Sequence, residues 1–405
     1  MACIVPDYTF LTELEDHHLR IDVMRELGRR DLYFLCRYIL GYKDMETETD
    51  IHYLFCTLLD RCDRRATLRA FNLLAPGSEE AILRLLALLF RGSFKTSILE
   101  GKVIQWLLRD PTAQIGVGSD IKDRAEERTG DIRDIIENND LLKSLYPDIF
   151  FGKPASESEL WRRDEFNIKR GQRDARTGGF SRSSVNAFGL DPLPTGSHFS
   201  HVWLDDVENE VNQNNPDLID KLNRNMRLFF PLLQPEAPVC MTGTIYSKEG
   251  PNTIFQKYWH TYIRPIIDRQ GLPTFPGKFP VDVIGRLKED INDEWTWQGQ
   301  YLLKSMRRTD KFLFPFTGQR LKHVKVHDAG GELFLLHDDG PVSLDDCLVY
   351  ITEDPSGGAN AQTATKLSDK VGWWVVAVDL KGRWAVVEIG NTHLDDTQFM
   401  DNNFT

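Results

Sequence analysis

The run Leu85-Leu86-Ala87-Leu88-Leu89-Phe90, followed by Arg91-Gly92-Ser93-Phe94-Lys95-Thr96-Ser97-Ile98, constrains this chain more than any other stretch. An unbroken apolar run of strand length fits a parallel strand covered on both faces. A short basic turn with one glycine, then Lys-Thr-Ser opening an apolar segment, fits a phosphate-holding loop at a helix N-terminus. There the backbone N–H groups and helix dipole face an anion, Lys95 reaches the β- and γ-phosphates, and the Thr96 hydroxyl helps hold Mg2+. The common pattern G-x-x-x-x-G-K-[ST] has glycines where this chain carries Leu89 and Phe94. The alternative is a buried strand, an Arg-Gly turn and a helix with Lys95 on its exposed face, so the loop needs support from elsewhere.

That support comes from the order of elements around it. Residues 8 to about 60 read as helices, with Leu11, Leu14, Leu19, Ile21, Met24 and Leu27 at roughly helical spacing, a second segment ending at Gly41, and a third from Ile51 to Asp60. From residue 81 the pattern alternates. Strands are expected at 83–90, 114–118, 185–188, 201–204 and 239–242, and helices at 96–108, 120–139 and 217–229. This alternation predicts an α/β domain with a mostly parallel sheet and flanking helices, whose ligand lies at one edge of the sheet. Trp295-Thr296-Trp297-Gln298 opens a helix reaching Met306, and the turn-rich stretch after Phe314-Pro315-Phe316 reads as a linker. From Cys347 a β-rich pattern predicts an antiparallel meander of Leu348–Ile351, Gly372–Asp379 and Trp384–Ile389, the last two joined by a hairpin turn at Leu380-Lys381-Gly382-Arg383.

The second chemical signal is His201-Val202-Trp203-Leu204-Asp205-Asp206, a hydrophobic strand ending in two carboxylates. Asp205 suits a Mg2+ ligand, direct or through water, and Asp206 suits the group that orients or deprotonates an attacking water, with Glu208 a competitor for that role. The third is Thr242-Gly243-Thr244 at another strand tip, where small hydroxyl residues can sense a γ-phosphate. The six cysteines lack a C-x-x-C pair and read as reduced thiols, not a zinc site. The net charge of −12 argues against a generally basic nucleic-acid binder but allows a local basic surface. Arg162, Arg163, Lys169, Arg170, Arg173, Arg176 and Arg182 form such a stretch, either a solvated loop, a DNA-backbone contact or the source of a guanidinium for a neighbouring subunit's phosphate. No apolar run approaches bilayer-spanning length, and no secretory signal is evident at the N-terminus.

Taken in order, Leu89-Phe90-Arg91-Gly92-Ser93-Phe94-Lys95-Thr96, Ser184–Gly189 with Thr195-Gly196, Val202-Trp203-Leu204-Asp205-Asp206, Thr242-Gly243-Thr244, Gln300-Tyr301-Leu302 and Asp354-Pro355 make the chain similar to the large terminase subunit of tailed bacteriophages. The resemblance spans about residues 30–395, and it lies in the order and spacing of the motifs more than in any one of them. It implies a P-loop NTPase of the ASCE/RecA-like type (additional strand, catalytic glutamate) plus the beginning of a ribonuclease-H-like β-rich nuclease. The implied organisation is 1–60 helical, 61–315 ATPase with lid, 316–346 linker and 347–405 partial nuclease. It further implies ATP as cofactor, Arg91 against the γ-phosphate and Thr242-Gly243-Thr244 as the motif coupling hydrolysis to motion. Asp206 stands where the family usually has glutamate, which keeps Glu208 open as the base, and no Gln precedes the loop to read adenine. Asp354 resembles the first nuclease metal ligand and Asp369 is a second candidate, for Mg2+ or Mn2+. The chain stops at Thr405, where a helix begins at Thr397, so this reading expects an incomplete nuclease without activity of its own. Implied partners are double-stranded DNA, the portal protein of the prohead, the small terminase subunit and further copies in a ring, without a membrane, in the host cytoplasm. The rival readings are a helicase-like translocase outside packaging, which would carry a second RecA-like lobe, and a non-enzymatic virion protein.

Overall fold

The computed structural model describes residues 5–74, 80–169, 183–194, 196, 198–209, 216–304, 325–328, 332–337, 340–354, 371–380 and 384–392. The chain forms two compact units, Met1–Arg308 and Thr309–Thr405.

The first unit is built on seven strands, β1 (Arg84–Leu89), β2 (Ile115–Ser119), β3 (Glu165–Phe166), β4 (Val185–Gly189), β5 (His201–Asp205), β6 (Val239–Gly243) and β7 (His260–Arg264). Their order across the sheet is β3-β4-β2-β5-β6-β1-β7. All neighbours are parallel except the short edge strand β3. The helices used below are α1 (His17–Arg30), α2 (Ile51–Arg61), α3 (Lys95–Arg109), α4 (Lys122–Asn138), α5 (Pro216–Phe229) and α6 (Val281–Ile291).

The unbroken apolar run of β1 follows from its position. Leu85, Ala87 and Leu89 face a core made with Ile98, Leu99, Val103 and Trp106 of α3 and with Phe34, Phe55 and Leu59 of the N-terminal helices. Leu86 and Leu88 face the other layer, with Val202, Leu204, Met226, Phe229 and Met241. The period-two alternation of a strand thus feeds two apolar layers. Helix α3 runs through the first layer and is buried almost all round, so its polar residues need partners. Arg109 pairs with Asp60 at 2.8 Å and Asp63 at 3.0 Å, and Lys102 donates to Gln105 at 2.7 Å.

The expected strands and helices of the α/β part are all present, within a few residues at their ends. Strand β6, inserted between β1 and β5, makes this an additional-strand sheet and puts the tips of all three on one edge. The sequence reading passes over β7, an edge strand in which only Tyr262 is buried, so that it has no hydrophobic alternation to recognise. The expected helix from Trp295 to Met306 is instead a short helical turn, Glu294–Thr296, running into a π-helical turn, Trp297–Tyr301. It stops because Leu303 turns left-handed, at φ 55°.

In the second unit, the stretch read as a linker holds three antiparallel strands, β8 (Lys325–Asp328), β9 (Leu333–His337) and β10 (Gly340–Ser343). The expected meander is there as β11 (Leu348–Asp354), β12 (Val371–Val378) and β13 (Trp384–Thr392), antiparallel in that order. Leu335, Ala377 and Ala385 share a small core. Among the described residues no helix is long and apolar enough to cross a membrane. Cys36, Cys56, Cys62 and Cys240 are buried free thiols.

Candidate functional site

The turn after β1 closes tightly. Ser93 N donates to Phe90 O at 3.2 Å. Gly92 has φ 88° and Phe94 has φ 66°. At Gly92 a side chain would meet both the left-handed backbone and the Phe279 ring. Phe94 holds the same kind of backbone where the common pattern has glycine, at a cost on the order of 1–3 kcal/mol. Its ring offsets part of this by packing 5.5 Å from Lys278 Nζ and 6.0 Å from the His52 ring. Two further bonds fasten the loop. Lys278 Nζ donates to Gly92 O at 3.0 Å, and His52 Nε2 donates to Ser93 O at 3.0 Å.

His52 is fully buried, and its Nδ1 accepts from Glu46 N at 2.7 Å. The ring is therefore the neutral Nε2–H tautomer. Burial lowers its pKa to about 4, against weaker opposing contributions from the Ser93 bond and Glu46. A histidine lowered in the folded state adds stability above its unfolded pKa of about 6.5, and that stability is lost as pH falls toward about 4. His52→Gln keeps a donor and an acceptor without titrating. The stability difference between wild type and H52Q, from urea unfolding between pH 7 and 4, is expected to shrink by about 3 kcal/mol across that window. A constant difference would contradict the neutral clamp. The sequence reading gives His52 no function beyond that of a satisfied histidine; nothing in its own neighbourhood of sequence marks a contact with the loop.

Lys95 is the first residue of α3, and its Nζ lies 3.4 Å from Asp206 Oδ1. The expected meeting of the loop lysine and the acid pair is thus present. Asp206 leaves β5 in a left-handed conformation, φ 43°. Asp205 is buried. Its Oδ1 accepts from the Thr242 hydroxyl at 2.9 Å, and its Oδ2 accepts from Arg128 Nε at 3.1 Å. The Thr242 oxygen in turn accepts from Trp203 Nε1 at 3.0 Å. Burial, then the Asp206 charge, push the Asp205 pKa up to about 6, while Lys95, Arg128 and the Thr242 bond pull it down.

Arg91 is exposed, and its Nη1 donates to Gln300 Oε1 at 3.0 Å while its backbone N donates to Gln300 O at 3.1 Å. The π-helical turn that carries Gln300 also closes on the β6 tip, through Ile245 N to Gly299 O at 3.2 Å. Tyr246, on the same segment, bonds Thr244 and lies within electrostatic reach of Asp206, Arg91 and Lys95. Ser93 Oγ is buried and, among the described residues, has no hydrogen-bond partner. Thr96 and Ser97 are half-buried at the helix N-terminus.

Glu208 has a different setting. It is buried, and its Oε1 accepts from Asn252 N at 2.6 Å, while among the described residues its Oε2 has no hydrogen-bond partner. Burial raises its pKa to about 7 against the pull of that bond and of the nearby backbone N–H groups of Tyr246 and Ser247. Asn252 Nδ2 donates to Thr244 O at 2.7 Å and crowds Gly243. Glu208 therefore organises the segment behind Thr242-Gly243-Thr244. Asp354 is the last residue of β11, opposite Gly372, with its side chain outside the described residues. Asp369 and Arg170, Arg173, Arg176 and Arg182 also lie outside them.

Beside the loop is a cleft of about 420 Å3 lined by Lys43, Glu46, Thr47, Phe94, Phe275 and Lys278. The Glu46 carboxylate is committed to the backbone N–H groups of Thr47, Glu48 and Gly277, which fixes one wall. The sequence reading misses Arg128, Gln300 and Tyr246 as individual site residues. Gln300 stands in a recognised tripeptide without a role, and Arg128 is marked only by adjoining the buried stripe Ala125, Thr129, Ile132 and Ile136 of α4.

No sequence-family profile matches the chain, and no curated protein matches it in sequence. Among solved structures, the large terminase of a thermophilic bacteriophage in complex with ADP is similar over 84% of this chain and 72% of its own, with 10% identity and a TM-score of 0.30. The same phage's large terminase in complex with ATP-gamma-S covers the same shares at 9% identity and a TM-score of 0.31. Likenesses of that size assign no ligand and no role to any residue here.

Proposed function

We propose that this chain is the ATP-hydrolysing subunit of a viral DNA-packaging motor. The observation that carries the reading is the convergence of Lys95 and Asp206, 111 positions apart in the chain, at 3.4 Å, with Asp205 next in sequence. In this reading the triphosphate lies on the N–H groups of 91–97, Lys95 meets its β- and γ-phosphates, and the base enters the cleft beside Phe94. Arg91 moves from Gln300 to the γ-phosphate. Asp206, with its side chain 42% exposed, is open to the water it orients. Glu208, already held by a backbone donor, positions the coupling segment instead of acting as the base.

The donor set fits a hard cation: a hydroxyl at Thr96, a buried carboxylate at Asp205 and phosphate oxygens from the ligand. Among the described residues no group of three or more His, Cys, Asp or Glu side chains could hold a metal, and Mg2+ in nucleotide sites needs only one or two carboxylates. When bound there, Mg2+ would neutralise charge on the transferring phosphoryl group. Thr242 and Trp203 keep Asp205 oriented toward it.

The motor reading adds double-stranded DNA, the prohead portal, the small terminase subunit and a ring of copies as partners, in the infected host's cytoplasm, with an arginine from 162–182 offered to the neighbouring site. Among these, Arg162 is engaged locally with Asp164 and Glu165. The residues from Cys347 onward would start the nuclease, with Asp354 and Asp369 as Mg2+ or Mn2+ ligands. The test is ATP turnover with linear duplex DNA. The expected result is a rise in rate that fades between about 50 and 200 mM salt, as phosphate contacts are screened. Stimulation by single strands alone would favour the helicase-like reading, and none by either would contradict a DNA motor.

A further inference from the structure

The cleft beside the phosphate loop offers a base little to pair with. Among the described residues that line it, none is an asparagine, glutamine or histidine, the side chains that set a donor and an acceptor against the edge of a base. The backbone donors of its wall are spent within the protein. Met45 N donates to Tyr42 O at 3.3 Å, Lys278 N to Phe275 O at 3.3 Å, and Glu46 N to His52 Nδ1 at 2.7 Å. Thr47 N and Glu48 N, each at 2.7 Å, donate to Glu46 Oε1, and Gly277 N donates to Glu46 Oε2 at 2.9 Å. Glu46, the buried acid of the wall, is thereby taken up as well.

What remains is an aromatic ring and a mobile rim. Phe94 is half-buried and lines the cleft. It keeps its ring at φ 66°, where glycine would sit without strain, so the ring brings something that glycine lacks. Lys43, Asp44 and Glu48 stand exposed at the rim. Adenine presents the N6 amino donor beside the N1 acceptor; guanine presents the O6 acceptor beside the N1–H and N2 amino donors. Ammonium and carboxylate groups on free side chains can meet either pattern. The cleft, at about 420 Å3, is large enough for either two-ring base.

We propose that this cleft holds the base by stacking on Phe94 and does not distinguish adenine from guanine, so that the site takes purine nucleoside triphosphates of either kind. The inference rests on the nucleotide-site reading given above. Stacking tolerates any base, because every base has a π face. Strong discrimination needs buried polar groups that the wrong base leaves unpaired, and here those of the wall are already paired.

The test is competition on the full chain with Mg2+ present. An ATP analogue labelled with a fluorophore on its ribose is bound, then displaced by ATP, GTP or inorganic tripolyphosphate. GTP is expected to displace it at a concentration within about fivefold of ATP, and tripolyphosphate only at about tenfold more than ATP or higher, the difference being the stacked base. Phe94→Gly suits the left-handed backbone and removes the ring. It is expected to narrow the gap between ATP and tripolyphosphate by at least about threefold. A purely structural role for the ring would weaken all three competitors alike and leave the gap as it was, which would overturn the stacking. A preference between ATP and GTP of more than about fivefold, in either direction, would overturn the proposal in the wild type alone, whatever F94G does. If wild type binds neither the analogue nor tripolyphosphate, the nucleotide-site reading itself fails. If it binds both and only the base comparison goes against expectation, the site stands and its indifference to the base is lost.

Discussion

Lys95→Ala is expected to reduce Mg2+-dependent ATP hydrolysis by at least about 100-fold, comparable to removing a preorganised donor from a transition state. The reason is charge. Phosphoryl transfer spreads negative charge over oxygens that the protein must meet with fixed donors in a water-poor site. In the proposed function Lys95 is the cation for this: its side chain is 10% exposed, and it starts α3, where the helix dipole adds to its field. The substitution is not expected to unfold the protein. The ion pair it breaks has a partly exposed partner in Asp206, and exposed pairs contribute little. A K95A protein that melts like wild type but still hydrolyses ATP at more than a tenth of its rate would contradict the site. Absence of ATP hydrolysis by the wild type would instead favour the reading of a non-enzymatic virion protein with Lys95 as a surface charge.

The second large effect separates the two candidate acids. Asp206→Asn is expected to lower kcat by about 100-fold or more while leaving KM near wild type, because in the proposed function the carboxylate acts on water and not on ground-state binding. Asparagine tolerates the left-handed backbone at this position, so the change is chemical and not conformational. Glu208→Gln keeps an acceptor for Asn252 N and is expected to retain kcat within about tenfold. Glu208→Ala leaves the Asn252 N–H without its acceptor and is expected to cost on the order of 1–3 kcal/mol of stability. Steady-state kinetics and thermal melts on the three proteins decide the matter. If E208Q falls as far as D206N, Glu208 touches the chemistry and the assignment of Asp206 alone is wrong.

The parts of this site readable in the sequence are those whose chemistry is local. Leu85–Leu89, the turn and Lys95-Thr96 form one continuous strand–loop–helix, and β5 ends in its own acids. Phe94 shows why the glycine pattern misleads: the left-handed backbone is kept, and a ring packed on Lys278 and His52 takes over glycine's place. What sequence could not show is contact between distant segments. His52 touches the loop from 41 positions away, Gln300 touches Arg91 from 209 and Arg128 touches Asp205 from 77. None is marked by its own neighbours as touching the site, and each reaches it through hydrogen bonds that only the packed fold creates. Strand β7 escapes notice for a related reason: at an edge, one buried tyrosine leaves no periodicity. Residues 325–343 mislead through composition, since short antiparallel strands in a turn-rich stretch look like connecting chain.

The most direct test of the central claim is a crystal structure of the Asp206→Asn protein with Mg2+ and ATP. The account predicts the γ-phosphate within hydrogen-bond distance of Lys95 Nζ, the metal on Thr96 and Asp205, and the base beside Phe94 and Lys278. Nucleotide found elsewhere, or bound with Lys95 and Asp205 both out of reach of its phosphates, would contradict it.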